Sequence, residues 1–146
     1  MLFSVGCSGS GSTGGAGPCN TLVNNAPMVS KNVNAGAAPT MTGGTLMDGT
    51  WFLTRMDRYN NSTGSSTHRE TWVFSGSQAQ IVTDKSTDAT QKHFSATYAI
   101  SGSTLTLSVT CPMQLTLMSA FTATATTLQV INSGDSNELH TFTRQP

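Results

Sequence analysis

From Trp51 to Arg144 apolar and polar residues alternate with a period of two, whereas residues 20–47 hold Asn, Ala, Gly, Pro and Met without any sustained period. Strand side chains point to opposite faces in turn, so the alternating region predicts strands that each bury one face. A unit recurs within it. The stretches WVFSGSQAQIV from Trp72, YAISGSTLTLSV from Tyr98 and FTATATTLQVI from Phe121 each place an aromatic seven and nine residues before a small or aliphatic pair: Ala79 and Ile81, Leu105 and Leu107, Leu128 and Val130. Each unit reads as a strand, a tight turn and a returning strand. Gly76-Ser77 and Gly102-Ser103 supply turn chemistry, and Ala125-Thr126 supplies a weaker version of it.

A first strand and a last strand complete the set, predicting eight strands at about 50–57, 69–75, 79–84, 92–101, 104–109, 119–126, 127–131 and 138–144. The expected fold class is all-β, an eight-stranded antiparallel up-and-down barrel. The links after the second, fourth and sixth strands are tight, and those at 58–68, 85–91, 110–118 and 132–137 are long. In a meander, alternate links share an end, so short turns close one end and loops rim the other like a cup.

Parity assigns the inner wall. Phe94, Ala96, Tyr98 and Ile100 share a face, as do Leu105, Leu107 and Val109, and their neighbours are mostly Ser and Thr. Extended to the open end, the same parity puts Arg55 with Trp51 and Leu53, His68 and Glu70 with Trp72 and Phe74, and His140 with Phe142. The expected ligand site is therefore a mouth of Arg55, His68, Glu70 and His140 above a wall of Trp72, Phe74, Phe94, Tyr98 and Phe121. The alternative is plainer: the aromatics are core, and Arg55 and Glu70 form only a rim ion pair worth about 0–1 kcal/mol. The apolar 110–118 link, with Met113, Leu115, Leu117 and Met118, either caps the cavity or plugs it.

Charged residues make up 10% of the chain and cancel to zero, which leaves no basic field for nucleic acid. For an enzyme one needs a nucleophile with its base, paired carboxylates or a metal cluster, and the spacing points to none. His68, His93 and His140 are scattered; Cys111 with two of them is the nearest approach to a zinc set. Neither catalysis, nor a metal, nor a cofactor is expected. No apolar run approaches the ~18–20 residues of a membrane span, so any membrane attachment is by lipid.

Such an attachment is suggested at the N-terminus. Met-Leu-Phe-Ser-Val-Gly-Cys7 resembles the end of a bacterial lipoprotein signal, which implies that Cys7 carries lipid and that the protein is exported to the cell envelope, at the outer membrane or cell surface. Ser8 to Gly17 is a glycine-serine tether, and residues 20–47 either extend it or lie over the domain as irregular chain. The domain division is thus 1–45, signal remnant and linker, and 46–146, barrel. With three cysteines and Cys7 set aside, Cys19 and Cys111 remain as a disulfide or as two free thiols.

The stretch Asp48-Gly-Thr-Trp-Phe-Leu-Thr-Arg55 carries a second resemblance. Its Gly-x-Trp, with Arg144 in the last strand, is similar to the lipocalin-like families, and the whole looks like the lipocalin-like domain of a small bacterial lipoprotein. The resemblance implies that Trp51 stacks beneath Arg144 at the closed end. It also implies a non-catalytic, lipid-anchored binder of a small apolar ligand, a fatty-acid-like amphiphile suiting the cup best. The rival is a protein-interaction or inhibitor module with a filled barrel that acts through its rim loops.

Overall fold

The computed structural model describes residues 18–146, so Cys7, the signal-like opening and the glycine-serine tether lie outside the described residues. The strands are β1 (Lys31–Val33), β2 (Gly43–Gly44), β3 (Gly49–Arg58), β4 (His68–Ser75), β5 (Gln78–Lys85), β6 (Lys92–Ser101), β7 (Thr104–Cys111), β8 (Leu115–Ala123), β9 (Thr127–Ile131) and β10 (Glu138–Arg144). Strands β3 to β10 pair in sequence order, and β3 pairs with both β4 and β10, which closes an eight-stranded antiparallel barrel. Period-two burial is plain in β7, where Leu105, Leu107 and Val109 are buried and the intervening Thr and Ser are not. The short turns at 76–77 and 102–103 close one end, with Gly76 and Gly102 at positive φ as such turns require.

Strand β8 begins at Leu115, four residues earlier than the pattern predicts, so the long 110–118 link shrinks to residues 112–114. Leu115 and Leu117 face Val109 and Leu107 in register. Their alternation continues that of Ser119 and Phe121, but the apolar Met118 between them hides the period. Outside this register, β8 pairs with β9 only over Phe121–Ala123, and residues 115–120 part from the neighbouring strand.

The first strand breaks parity. A bulge where β10 passes from Thr141 to Phe142 lets Leu53 pair with Phe142 and Arg55 with Thr141, so one residue of β3 is left over. Trp51, Leu53 and then Met56 point inward, and Arg55 turns outward with its side chain 60% exposed. Its guanidinium grips Asp57 with two bonds of 2.7 and 2.8 Å. The expected inward Arg55, and its ion pair with Glu70, are thereby corrected.

Residues from 18 onward are part of the folded domain and not a linker. A disulfide joins Cys19 to Cys111 with Cα atoms 5.6 Å apart. Buried Asn20 donates to the carbonyls of Ile81 and Phe94, and buried Asn24 donates to that of Arg69 and accepts from Thr71 Oγ1. The strap then reaches the seam where β3 and β4 separate, since these two strands pair only from Gly49–Phe52 to Thr71–Phe74. Above that point Val29 bridges His68, and β1 runs parallel to Met56–Arg58, so the strap fills the gap. Side-chain amides and a cross-link hold it, which is why it shows no hydrophobic period.

At the closed end Trp51 is fully buried and donates its indole N–H to the Met47 carbonyl at 3.1 Å. Arg144 is its register partner, but the guanidinium lies over Gly49 and donates twice to the Asp48 carbonyl, at 2.6 and 3.0 Å. Gly49 has a φ of 131°, and a Cβ there would sit 3.1 Å from Arg144 Nε. Glycine is needed because the arginine closes against backbone. The expected stack of Arg144 on the indole is replaced by this contact.

Candidate functional site

The lower half of the barrel is solid. Phe74, Phe121, Phe142, Leu53, Leu105 and Leu128 are all at most 1% exposed and pack around Trp51. Above them lies a cavity of about 260 Å³, walled by Trp72, Ile81, Phe94, Leu107, Val109, Leu117, Val130 and Phe142. Lys85, Asp88 and Lys92, at and between the facing ends of β5 and β6, and Asn132 and Ser133, between β9 and β10, also line it, with Lys92 held 3.0 Å from Asp88. Leu115, Leu117 and Ser119, on the part of β8 that leaves β9, complete the lining. Trp72 packs on Phe142 with ring centroids 4.7 Å apart and forms the floor.

One wall of the cavity is ionic. Glu70 and His140 line it, with His68 and Glu138 behind them, and all four side chains are buried. Glu70 Oε1 lies 3.7 Å from Nδ1 of both His68 and His140, and its Oε2 accepts the Trp72 indole N–H at 3.2 Å. Nε2 of His140 meets Glu138 Oε1 at 2.7 Å, and Nε2 of His68 meets Ser66 Oγ at 3.1 Å. Glu138 is held in turn by Lys31 at 2.8 Å, Arg58 at 3.2 Å and Asn132 at 3.2 Å. Burial by itself would lower the pKa of His140, but the charge of Glu70 and the bond to Glu138 outweigh it and raise it to about 9. Burial would likewise raise both carboxyl groups. The His140 charge, 3.7 Å away, holds Glu70 well below the usual carboxylate range instead, and bonds from His140 and Lys31 do the same for Glu138.

Of the nine residues expected to surround a ligand, the cavity brings together Glu70, Trp72, Phe94 and His140. Phe74 and Phe121 lie beneath it in the solid core, and Tyr98 packs edge-on against Phe74 at 5.0 Å, away from the cavity. His68 is in the buried ionic wall and not on a solvent rim, and Arg55 is outside the barrel. Sequence reasoning missed Lys85, Lys92 and Glu138, and gave Leu117 only as part of a loop that caps or plugs the cavity. Leu117 and Glu138 share the parity of Phe121 and His140, so the alternation carried their signal. The strap residue Lys31 reaches Glu138 only through a parallel pairing that no local pattern announces.

Comparison with curated proteins and with solved structures finds no match. A family model described as a lipocalin-like domain matches residues 47–130, more than half of the chain, from just before β3 into β9. The closed barrel and this match agree, and the chain belongs to the lipocalin-like domain family.

Proposed function

We propose that this protein is an exported, lipid-anchored and non-catalytic binder of a small apolar ligand with a polar head. The observation that carries the reading is the half-hollow barrel: an aromatic and aliphatic pocket of about 260 Å³ with Lys85 and Lys92 in its lining. That volume lies just under the roughly 300–1,000 Å³ of common ligand pockets, so the ligand is short. Apolar burial on the walls supplies affinity at about 25 cal/mol per Å², and the lysines orient an anionic head. A medium-chain fatty-acid-like amphiphile suits this division. The anchor reading rests on the signal-like run before Cys7.

Titration with a short fluorescent fatty acid tests the binding. Wild type should bind saturably, Phe94→Ala should weaken binding about tenfold through lost wall contact, and Arg55→Ala should not change it. Failure of the wild type to saturate refutes the pocket's role. The anchor is checked separately: expressed with a complete signal, wild type should sediment with membranes and Cys7→Ser should not. A second reading, contact with a protein partner through the rim, draws on Met113 in the 112–114 link and Met118 on β8, both more than 60% exposed. It gains if no amphiphile binds.

A further inference from the structure

The ionic wall is arranged as metal sites are, with inner atoms converging and outer atoms already engaged. Ser66 occupies Nε2 of His68, Glu138 occupies Nε2 of His140, and Trp72 occupies Oε2 of Glu70. Such outer partners fix the tautomer and aim of ligating side chains. The three atoms left over are Nδ1 of His68, Nδ1 of His140 and Oε1 of Glu70, and both nitrogens lie nearest that oxygen of Glu70. Both nitrogens stand 3.7 Å from Glu70 Oε1, too long for a hydrogen bond. A tetrahedral ion about 2.1 Å from each donor separates its donors by about 3.4 Å, close to the 3.7 Å that each nitrogen keeps from Glu70 Oε1.

Two further observations point to a missing occupant. His68 Nδ1 is buried without a hydrogen-bond partner, on a residue only 2% exposed. Such orphaned atoms are costly and uncommon. Glu138 is matched by Lys31 and Arg58, whereas among the described residues Glu70 meets histidines alone, so no lysine or arginine stands where an ion would sit. A separate convergence of donor atoms from His68, Glu138 and His140 within 4.8 Å shows how tightly the cluster is drawn together.

We propose that His68, Glu70 and His140 bind a divalent transition-metal ion, zinc by donor chemistry, with Glu138 and Ser66 as positioning residues. Two imidazoles and one carboxylate form a borderline donor set that favours zinc or ferrous iron over magnesium or calcium. Glu70 and His140 line the cavity, so the ion's remaining position faces it. The site stands independently of the amphiphile reading, because the ion needs no second ligand in order to bind.

The test uses full-length Cys7→Ser protein with the Cys19–Cys111 disulfide oxidised, so that no thiolate competes. After chelator treatment and dialysis, zinc chloride is titrated by calorimetry, and cobalt(II) chloride is followed by visible absorbance. One equivalent should bind, with the intense cobalt bands of a four-coordinate nitrogen–oxygen site and a higher melting temperature. His68→Gln and Glu70→Gln should weaken binding at least about 100-fold and Ser66→Ala about tenfold, while His93→Gln should leave it unchanged. No saturable uptake, or uptake indifferent to His68→Gln and Glu70→Gln, overturns the site. The first outcome would leave a proton-bridged ion network, and the second an ion elsewhere. Should Glu70→Gln fail to fold, the cobalt spectrum of the parent and of His68→Gln decides the matter.

Discussion

The two halves of the barrel are built from the same alternating strands yet end in different states. In the lower half β3 meets β4, β8 meets β9, and the inward residues Trp51, Phe74, Phe121 and Phe142 interlock without space. In the upper half both seams open. One is filled by the strap carrying Val29 and β1, and the other, between β8 and β9, is left as a wall of the cavity. A hollow in a small barrel therefore follows from unpaired strand ends more than from small side chains, since Trp72 and Phe94 line the empty part. The open seams also admit polar groups. An ionic cluster is tolerated there because Lys31 and Arg58 reach it from the strap and the bulged strand.

The contrast is broken most severely from below. Trp51→Ala or Phe121→Ala, both fully buried, should cost about 3–5 kcal/mol in denaturant unfolding. Leu117→Ala on the cavity wall should cost clearly less, because part of its neighbourhood is already empty. Equal losses at the two levels would mean that the cavity collapses in solution. Next comes the strap. Replacing both Cys19 and Cys111 by Ser should lower stability by about 2–4 kcal/mol, and hydrogen exchange should quicken first at Val29, β1 and the start of β4. Uniform loss of protection would place the strap in the same cooperative unit as the lower core.

Smaller effects sharpen the two ends. Arg144→Ala removes two bonds to the Asp48 carbonyl and should cost about 1–2 kcal/mol. A double-mutant cycle of Arg144→Ala with Trp51→Phe should show little coupling, because the guanidinium closes on Gly49 and Asp48; strong coupling would restore a stack. The smallest effect belongs to Asp57 at the upper end of β3. Burial would raise its carboxyl pKa, but bonds from Arg55 and Asn34 prevail and lower it. A lowered folded pKa gives stability above the unfolded carboxyl pKa that is lost as pH falls through the folded one. Acidification from neutral pH should therefore narrow the stability gap between wild type and Asp57→Asn, read by urea melts at each pH.

The all-β class, most of the strand boundaries, the tight turns and the inward Ala96, Leu105, Leu107, Val109 and Phe121 were legible in the chain alone, because period two and Gly-Ser turns are local consequences of strand geometry; Ile100, expected inward by the same parity, is exposed at the end of its strand. The Gly-x-Trp stretch likewise announced the start of the barrel. Three features were decided only in the assembled molecule. The bulge opposite Thr141 and Phe142 depends on how two distant strands match in length, and its single extra residue turned Arg55 outward. The strap from Cys19 to Val33 is held by side-chain amides, a disulfide and a parallel pairing, none of which leaves a periodic trace. The ionic wall joins Ser66, His68 and Glu70 to Glu138 and His140 from opposite ends of the domain. Parity could say that most of these faced inward, but only closure of the barrel, bringing β4 beside the strap and β10, set Glu70 between the two histidines.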